Sequence, residues 1–304
     1  MAYNNINDYV IITPAYNESS YIEITIKSVL AQSILPVRWV IVDDGSTDDT
    51  ANIVRHYAEE YEWIEYLYRS KDASQSYYSS NVYAIMAGYE QVKHLGFDFL
   101  AILDADISLP TDYYESIFNR FIRYDKLGVA SGVYNNLIDG KLIKVLNDRR
   151  STPKAIQVFR RECFNNIGGY LPLKYGGEDA CTCIMARMKG WKSWSFPEIE
   201  VIHNRPTGTG NTKNLLHTKL VLGFYEYSIG SHPIFVFLKS LRRCIKEKPY
   251  ILGGLARIIG YSWKLLKRET RQIPDEVIKY VQSEQLDRVF NFNKIAEKDN
   301  IEVI

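Results

Sequence analysis

Three short, largely apolar runs, at residues 9–13 (YVIIT), 38–42 (RWVIV) and 99–103 (FLAIL), each end in a polar loop. Runs of this length fit one buried strand apiece. The loops are 14–18 (PAYNE), 43–47 (DDGST) and 104–106 (DAD). Between the runs, apolar residues recur at helical spacing, first at Ile22, Ile26, Val29 and Leu30, then at Ile53, Val54 and Tyr57. Thr47 is expected to cap the second of these helices, with the acids after it in the first turn. A third strand is predicted at 64–68 and a helix at 83–95. Strands alternating with helices in this way give an α/β protein, a parallel sheet with helices on both faces. In such sheets ligands bind beyond the carboxyl ends of the strands. All three polar loops follow strands, so they converge on one edge.

The loop at 104–106 carries the most chemistry. Residues i and i+2 of an extended chain point to the same face, so Asp104 and Asp106 leave the strand end side by side. Like charges that close repel unless a cation sits between them, and hard oxygen ligands suit Mg2+ or Mn2+. The motif alone is weak. With 17 Asp in 304 residues, about one such spacing arises by chance, and a strand cap before a loop has the same pattern. Convergence with the other two loops is what favours a site.

The second half is less regular. A strand is expected at 129–134, a polar loop at 141–150, a helix at 180–189 and a short strand at 199–202, followed by a Gly- and Thr-rich loop at 206–210. After about residue 222 the composition shifts. Ten Lys or Arg and two acids fall between 239 and 271, interleaved with Ile, Leu, Trp and Tyr. Over the whole chain Lys+Arg 37 balances Asp+Glu 36, so no global charge argues for nucleic acid. Cys163, Cys181, Cys183 and Cys244 form no CxxC pair, which fits a reducing compartment. The N-terminus has no basic n-region, so no signal peptide is expected. No apolar stretch reaches the length of a membrane span.

TPAYNE (13–18), VDDGSTDDT (42–50), the DAD, GGED (176–179) and HNRPTG (203–208), in this order, resemble family 2 glycosyltransferases. The resemblance covers about residues 8–210 and implies the GT-A fold, a Rossmann-like mixed sheet flanked by helices. The tail resembles the C-terminal helical region of bacterial members. The expected division is a catalytic domain at 1–222 and a helical, basic amphipathic region at 223–304. The implied reaction is inverting transfer of a sugar from a nucleotide-diphospho-sugar, a UDP-sugar first, to a hydroxyl acceptor. A glycan or lipid-linked glycan acceptor in cell-surface polysaccharide or glycolipid synthesis fits, in the cytoplasm or at the inner face of the membrane.

The same resemblance assigns roles. Backbone groups at Pro14, Ala15 and Tyr16, with Asn17 and Glu18, hold the base and ribose. Asp44 accepts from the N3–H of uracil, Asp43 does the same or supports the loop, and Gly45 and Ser46 complete it. Alternatively, both acids only cap the next helix. Asp104, Ala105 and Asp106 meet the diphosphate through Mn2+ or Mg2+, with Asp106 the firmer ligand and His203 a third contact or, alternatively, a strand-end histidine bonded to the backbone. Arg205 pairs with phosphate or, alternatively, forms only a surface salt bridge. Asp179 is the expected base, Glu178 the runner-up, and Gly177 lets the backbone approach the sugar. Alternatively, the two acids serve only the start of their helix. The family's Arg-Asn pair after the third strand is missing. Ile85-Met86 stands there, with Asn81 and Arg69 as possible substitutes. The competing functions are a nucleotidyltransferase and a sugar-nucleotide-binding module without activity. The basic tail, with its aromatics, is also the pattern of a helix that lies on an anionic membrane.

Overall fold

The computed structural model describes residues 8–72, 74–145, 148–205 and 214–290, and the backbone alone at Lys246. The chain divides into two compact units, one of residues 1–172 and 178–207 and one of residues 173–177 and 208–304.

The first unit opens with three alternating pairs: β1 (Tyr9–Ala15), α1 (Ile22–Leu30), β2 (Arg38–Asp43), α2 (Thr50–Glu60), β3 (Ile64–Tyr68) and α3 (Tyr77–Val92). There follow β4 (Phe99–Leu103), β5 (Ile107–Ser108), α4 (Tyr113–Arg123), β6 (Leu127–Ile138), β7 (Lys141–Lys144), β8 (Ile156–Arg160), α5 (Arg161–Ile167), α6 (Glu178–Met188) and β9 (Lys192–His203). The strands form one sheet in the order β3-β2-β1-β4-β8-β6-β9-β5, with β7 paired to β6. Both faces of β1 are buried, and its residues alternate between two layers. Ile12 faces α3, where a Cβ on Gly88 would lie 2.7 Å from Ile12 Cγ2 and 3.0 Å from Val42 Cγ2. Only glycine lets that helix lie so close to β1 and β2. Tyr9 faces α4 instead, its ring 4.8 Å from Tyr114 and 4.9 Å from Phe118. Burial of these two layers supplies the main stabilisation of the unit.

Pairing is parallel from β3 to β4, as the alternation of strands and helices predicts. Beyond β4 the sheet departs from simple alternation, as the family resemblance implies, although β6 and β9 again pair in parallel. β8 runs antiparallel to both β4 and β6, because no crossover helix leads into it, so the sheet is mixed. The loop expected at 141–150 begins with β7, every residue of which is exposed. A strand buried on neither face shows no apolar alternation. Asp139 and Gly140 both have positive φ, the Asp-Gly hairpin turn that could have revealed it. The short strand expected at 199–202 is the end of the 12-residue β9. α3 starts at Tyr77 rather than 83, because Ser76 caps it by accepting from the Ser79 amide. Thr47 caps nothing. α2 starts after Asp49, and the Thr47 amide is bound instead by Asn17 Oδ1 at 2.8 Å. The loop expected at 206–210 lies outside the described residues.

The second unit is helical: α7 (Leu215–Ser228), α8 (Pro233–Lys246), α9 (Tyr250–Leu266) and α10 (Asp275–Phe290). Among the described residues, no helix is long and apolar enough to cross a membrane. All four cysteines are free thiols, three of them buried.

Candidate active site

The carboxyl ends of β1, β2 and β4 bring the three polar loops of the first unit together. The first two are tied by their own side chains. Asn17, at φ 55°, donates its amide to Ser46 Oγ at 3.0 Å and accepts from the Thr47 amide. The Asp44 amide reaches Ala15 O at 2.8 Å, and the Glu18 amide reaches Thr50 Oγ1 at 2.8 Å. Asp43 supports its own loop, accepting from the Ser46 amide and the Tyr66 hydroxyl, both at 2.8 Å. Asp44 is buried and held by Arg69 and Ser80. Arg69, named from sequence as a substitute for the missing pair, thus binds the loop carboxylate and Gln75.

The third loop is set from below. Thr25 Oγ1 donates to Ala105 O at 2.8 Å and accepts from the Ile107 amide at 3.0 Å. The two aspartates then part company. Asp104 takes Lys154 Nζ at 2.7 Å. Asp106, 1% exposed, takes His203 Nε2 at 3.2 Å and Arg205 at 3.0 Å. Burial acts to raise its carboxyl, but the His203 hydrogen bond and the charges of His203, Arg205 and Lys154 hold it below the usual range. His203 Nδ1 lies 3.2 Å from Asn136 Oδ1, which fixes the ring with Nε2 toward Asp106. Arg205 also reaches Glu18 Oε1 at 2.7 Å. Glu18 is pushed up to about 7, chiefly by burial, and its Oε2 is buried with no hydrogen-bond partner among the described residues.

α6 begins with Glu178 and Asp179, two residues before the helix expected at 180–189. Burial, then the neighbouring Asp179, pushes Glu178 up to about 7, and its Oε2 also lacks a partner among the described residues. Burial raises Asp179 too, against amide hydrogen bonds from Ala180 and Lys154. A raised carboxyl binds its proton better in the folded chain, so stability is greatest in acid and falls as pH rises. For Glu178 the window runs from its ordinary 4.5 to about 7. Melting temperature should therefore fall between pH 5 and 8, and fall less in Glu178→Gln. Equal slopes in the two proteins would contradict the shift.

Gly176 and Gly177 belong to the second unit. Gly177 has φ +89°, and a Cβ there would lie 1.8 Å from Tyr225 Cε2. Nearby, Tyr175 donates to Glu269 at 2.7 Å. Gly177→Ala must displace the Tyr225 ring and strain the residue before Glu178. Small displacements of catalytic groups cost about 10²-fold, so turnover should drop by that order, and the strained φ should lower the melting temperature as well. Wild-type turnover would show that this close packing has no bearing on catalysis.

The residues fit a divalent cation. Two cis ligands of an octahedral ion with bonds near 2.1 Å lie about 3 Å apart, and Asp106 Oδ2 and His203 Nε2 have that spacing. Asp104 is turned to Lys154 instead, and no group of three or more acid, His or Cys ligands forms among the described residues. Arg205 and Lys154 supply the positive charge around the two aspartates.

The mixed sheet flanked by helices defines an α/β protein in which the DxD and His-x-Arg residues meet at the end of β4. The chain matches the family model Glycosyl transferase family 2 over residues 10–177, more than half its length, and belongs to that family. It is 30% identical over 129 residues to 4,4'-diaponeurosporenoate glycosyltransferase of Staphylococcus aureus, covering 42% of this chain and 32% of that protein. Matches to such curated relatives span about a third of their length. Among solved structures, S. aureus TarS 1-349 in complex with UDP-GlcNAc has a TM-score of 0.54 at 15% identity, over 71% of this chain and 64% of that one. Mannosyltransferase PcManGT from Pyrobaculum calidifontis, in complex with GDP-Man and Mn2+, has a TM-score of 0.55 at 16% identity, over 98% and 85%. The fold is GT-A.

Proposed function

We propose that this chain is an inverting, metal-dependent glycosyltransferase that uses a nucleotide-diphospho-sugar, a UDP-sugar first. The observation that carries this reading is Asp106 Oδ2 facing His203 Nε2 at 3.2 Å beside Arg205 at the end of β4. Family membership supports it, as do the UDP-GlcNAc and GDP-Man bound by its structural neighbours. The loops 14–18 and 43–46 hold the base and ribose, and Arg205 exchanges Glu18 for a phosphate oxygen. Asp106 and His203, with Asp104, would hold Mn2+ or Mg2+, which when bound supplies positive charge to the leaving diphosphate. Asp179 takes the proton from the acceptor hydroxyl as its oxygen bonds to the anomeric carbon. The bond from that carbon to the diphosphate oxygen breaks, a nucleoside diphosphate leaves, and the centre inverts. Glu178 is the second candidate base. The acceptor is a hydroxyl of a glycan or lipid-linked glycan, in cell-surface polysaccharide or glycolipid synthesis, in the cytoplasm at the inner face of the membrane. The test is a thermal-shift screen with Mn2+ against UDP-, GDP-, CMP- and dTDP-sugars. One donor class should stabilise the chain in a metal-dependent way. Stabilisation by none of them would overturn the reading.

A further inference from the structure

The exposed apolar side chains of the helical unit are ordered. On α8, Ile234, Leu238, Leu241 and Ile245 recur every three or four residues, and all are 42% exposed or more. On α9, Ile251, Leu255, Ile259, Trp263 and Leu266 repeat the spacing at 48% or more. A helix normally turns such a stripe toward a core, yet here two stripes face away from one. The helices touch at Gly254, where a Cβ would lie 2.2 Å from Cys244 Sγ, so the stripes lie on neighbouring helices. An exposed apolar surface of this size marks an interaction site.

The charges around it say what the partner is. Glu247 and Glu269, the two acids between residues 233 and 271, are both taken up, Glu247 by Lys219 and Arg243 and Glu269 by Lys264. Arg257, which the sequence puts near the α9 stripe, is instead 2% exposed and inside the unit, 3.9 Å from the buried Glu226. Arg242, Lys248, Lys267 and Arg268 are exposed and carry no acid partner among the described residues. Lys267 Nζ lies 4.6 Å over the Trp263 ring, an aromatic body next to a cationic tip. A second copy of this face would set cations against cations. A bilayer with anionic headgroups offers both of the complementary surfaces, acyl chains for the stripes and phosphates for the cations.

We infer that the α8–α9 face docks on an anionic lipid bilayer without crossing it. The inference deepens the proposed placement at the inner face of the membrane, and its binding readout is separate from sugar transfer. The test is sedimentation of the full chain with vesicles of phosphatidylcholine alone and with phosphatidylglycerol added, at low and high salt. Binding should appear with the anionic lipid and weaken with salt. Each cation contributes roughly fivefold, so Lys267→Gln with Arg268→Gln should weaken binding roughly 25-fold. Ile259→Glu with Leu266→Glu should abolish it. All four positions are exposed, and an unchanged melting temperature verifies folding. Equal binding to both vesicle types, or none to either, would overturn the inference. So would concentration-dependent dimerisation that Ile259→Glu removes, which would assign the face to a second copy.

Discussion

Asp179→Asn lowers turnover by about 10²- to 10⁴-fold, the usual contribution of a positioned base, and leaves donor affinity nearly unchanged. The substitution keeps the side chain's size and its place at the start of α6. The new carboxamide can still accept from the Ala180 amide through its carbonyl oxygen, as Asp179 Oδ1 does at 2.7 Å, so the helix start is preserved. What is lost, on the proposed mechanism, is the group that takes a proton. Burial raises the Asp179 carboxyl, which makes it a better base than an exposed aspartate and sets the acid limb of kcat/KM above the ordinary value of about 3.9. Activity should therefore rise with pH through that limb in the wild-type chain. Loss of donor affinity along with turnover would make Asp179 a donor ligand. No change in either would pass the role to Glu178.

Asp106→Asn abolishes metal-dependent turnover, with a fall of at least about 10²-fold, the scale seen when one charge-stabilising group is removed from a transition state. Asp106 is the point where His203 and Arg205 meet. An amide cannot replace the carboxylate as an anionic ligand for a hard cation. The fold should survive, since Arg205 retains Glu18 at 2.7 Å and Asn204 still bonds the backbone oxygen of residue 106 at 2.9 Å. Calorimetry of the variant with donor should show no strengthening of binding when Mn2+ is added, whereas the wild type should show it. Wild-type turnover in the variant, or in wild type treated with EDTA, would remove the metal from the account.

Much of this site was legible in the sequence because it hangs from strands buried on both faces. β1, β2 and β4 read as continuous apolar runs, and the loops after them are local in sequence. The half of the sheet beyond β4 was less legible, since β8 and β9 pair with segments distant in sequence and β7 is exposed throughout. Lys154 was missed for the same reason. A lysine in an irregular segment carries no signal of its own, and only the antiparallel pairing of β8 with β4 brings it to Asp104, where the Asp104 amide bonds Ala155 O at 3.0 Å. Ser80 and Tyr66 were missed likewise. Each reaches a loop aspartate only because α3 and β3 pack beside β2. The side-by-side placement expected of Asp104 and Asp106 did not allow for two different cations, Lys154 and Arg205, drawing the carboxylates to separate partners.

Sugar transfer and nucleotidyl transfer differ in which bond of the donor breaks. The full chain, incubated with Mn2+, the stabilising nucleotide-sugar and a panel of glycan and lipid-linked acceptors, should release nucleoside diphosphate in step with glycoside formation. Neither product should form in EDTA or with Asp106→Asn. Release of pyrophosphate instead would make the chain a nucleotidyltransferase, and donor binding without turnover on any acceptor would leave it a binding module. Either result would contradict the account.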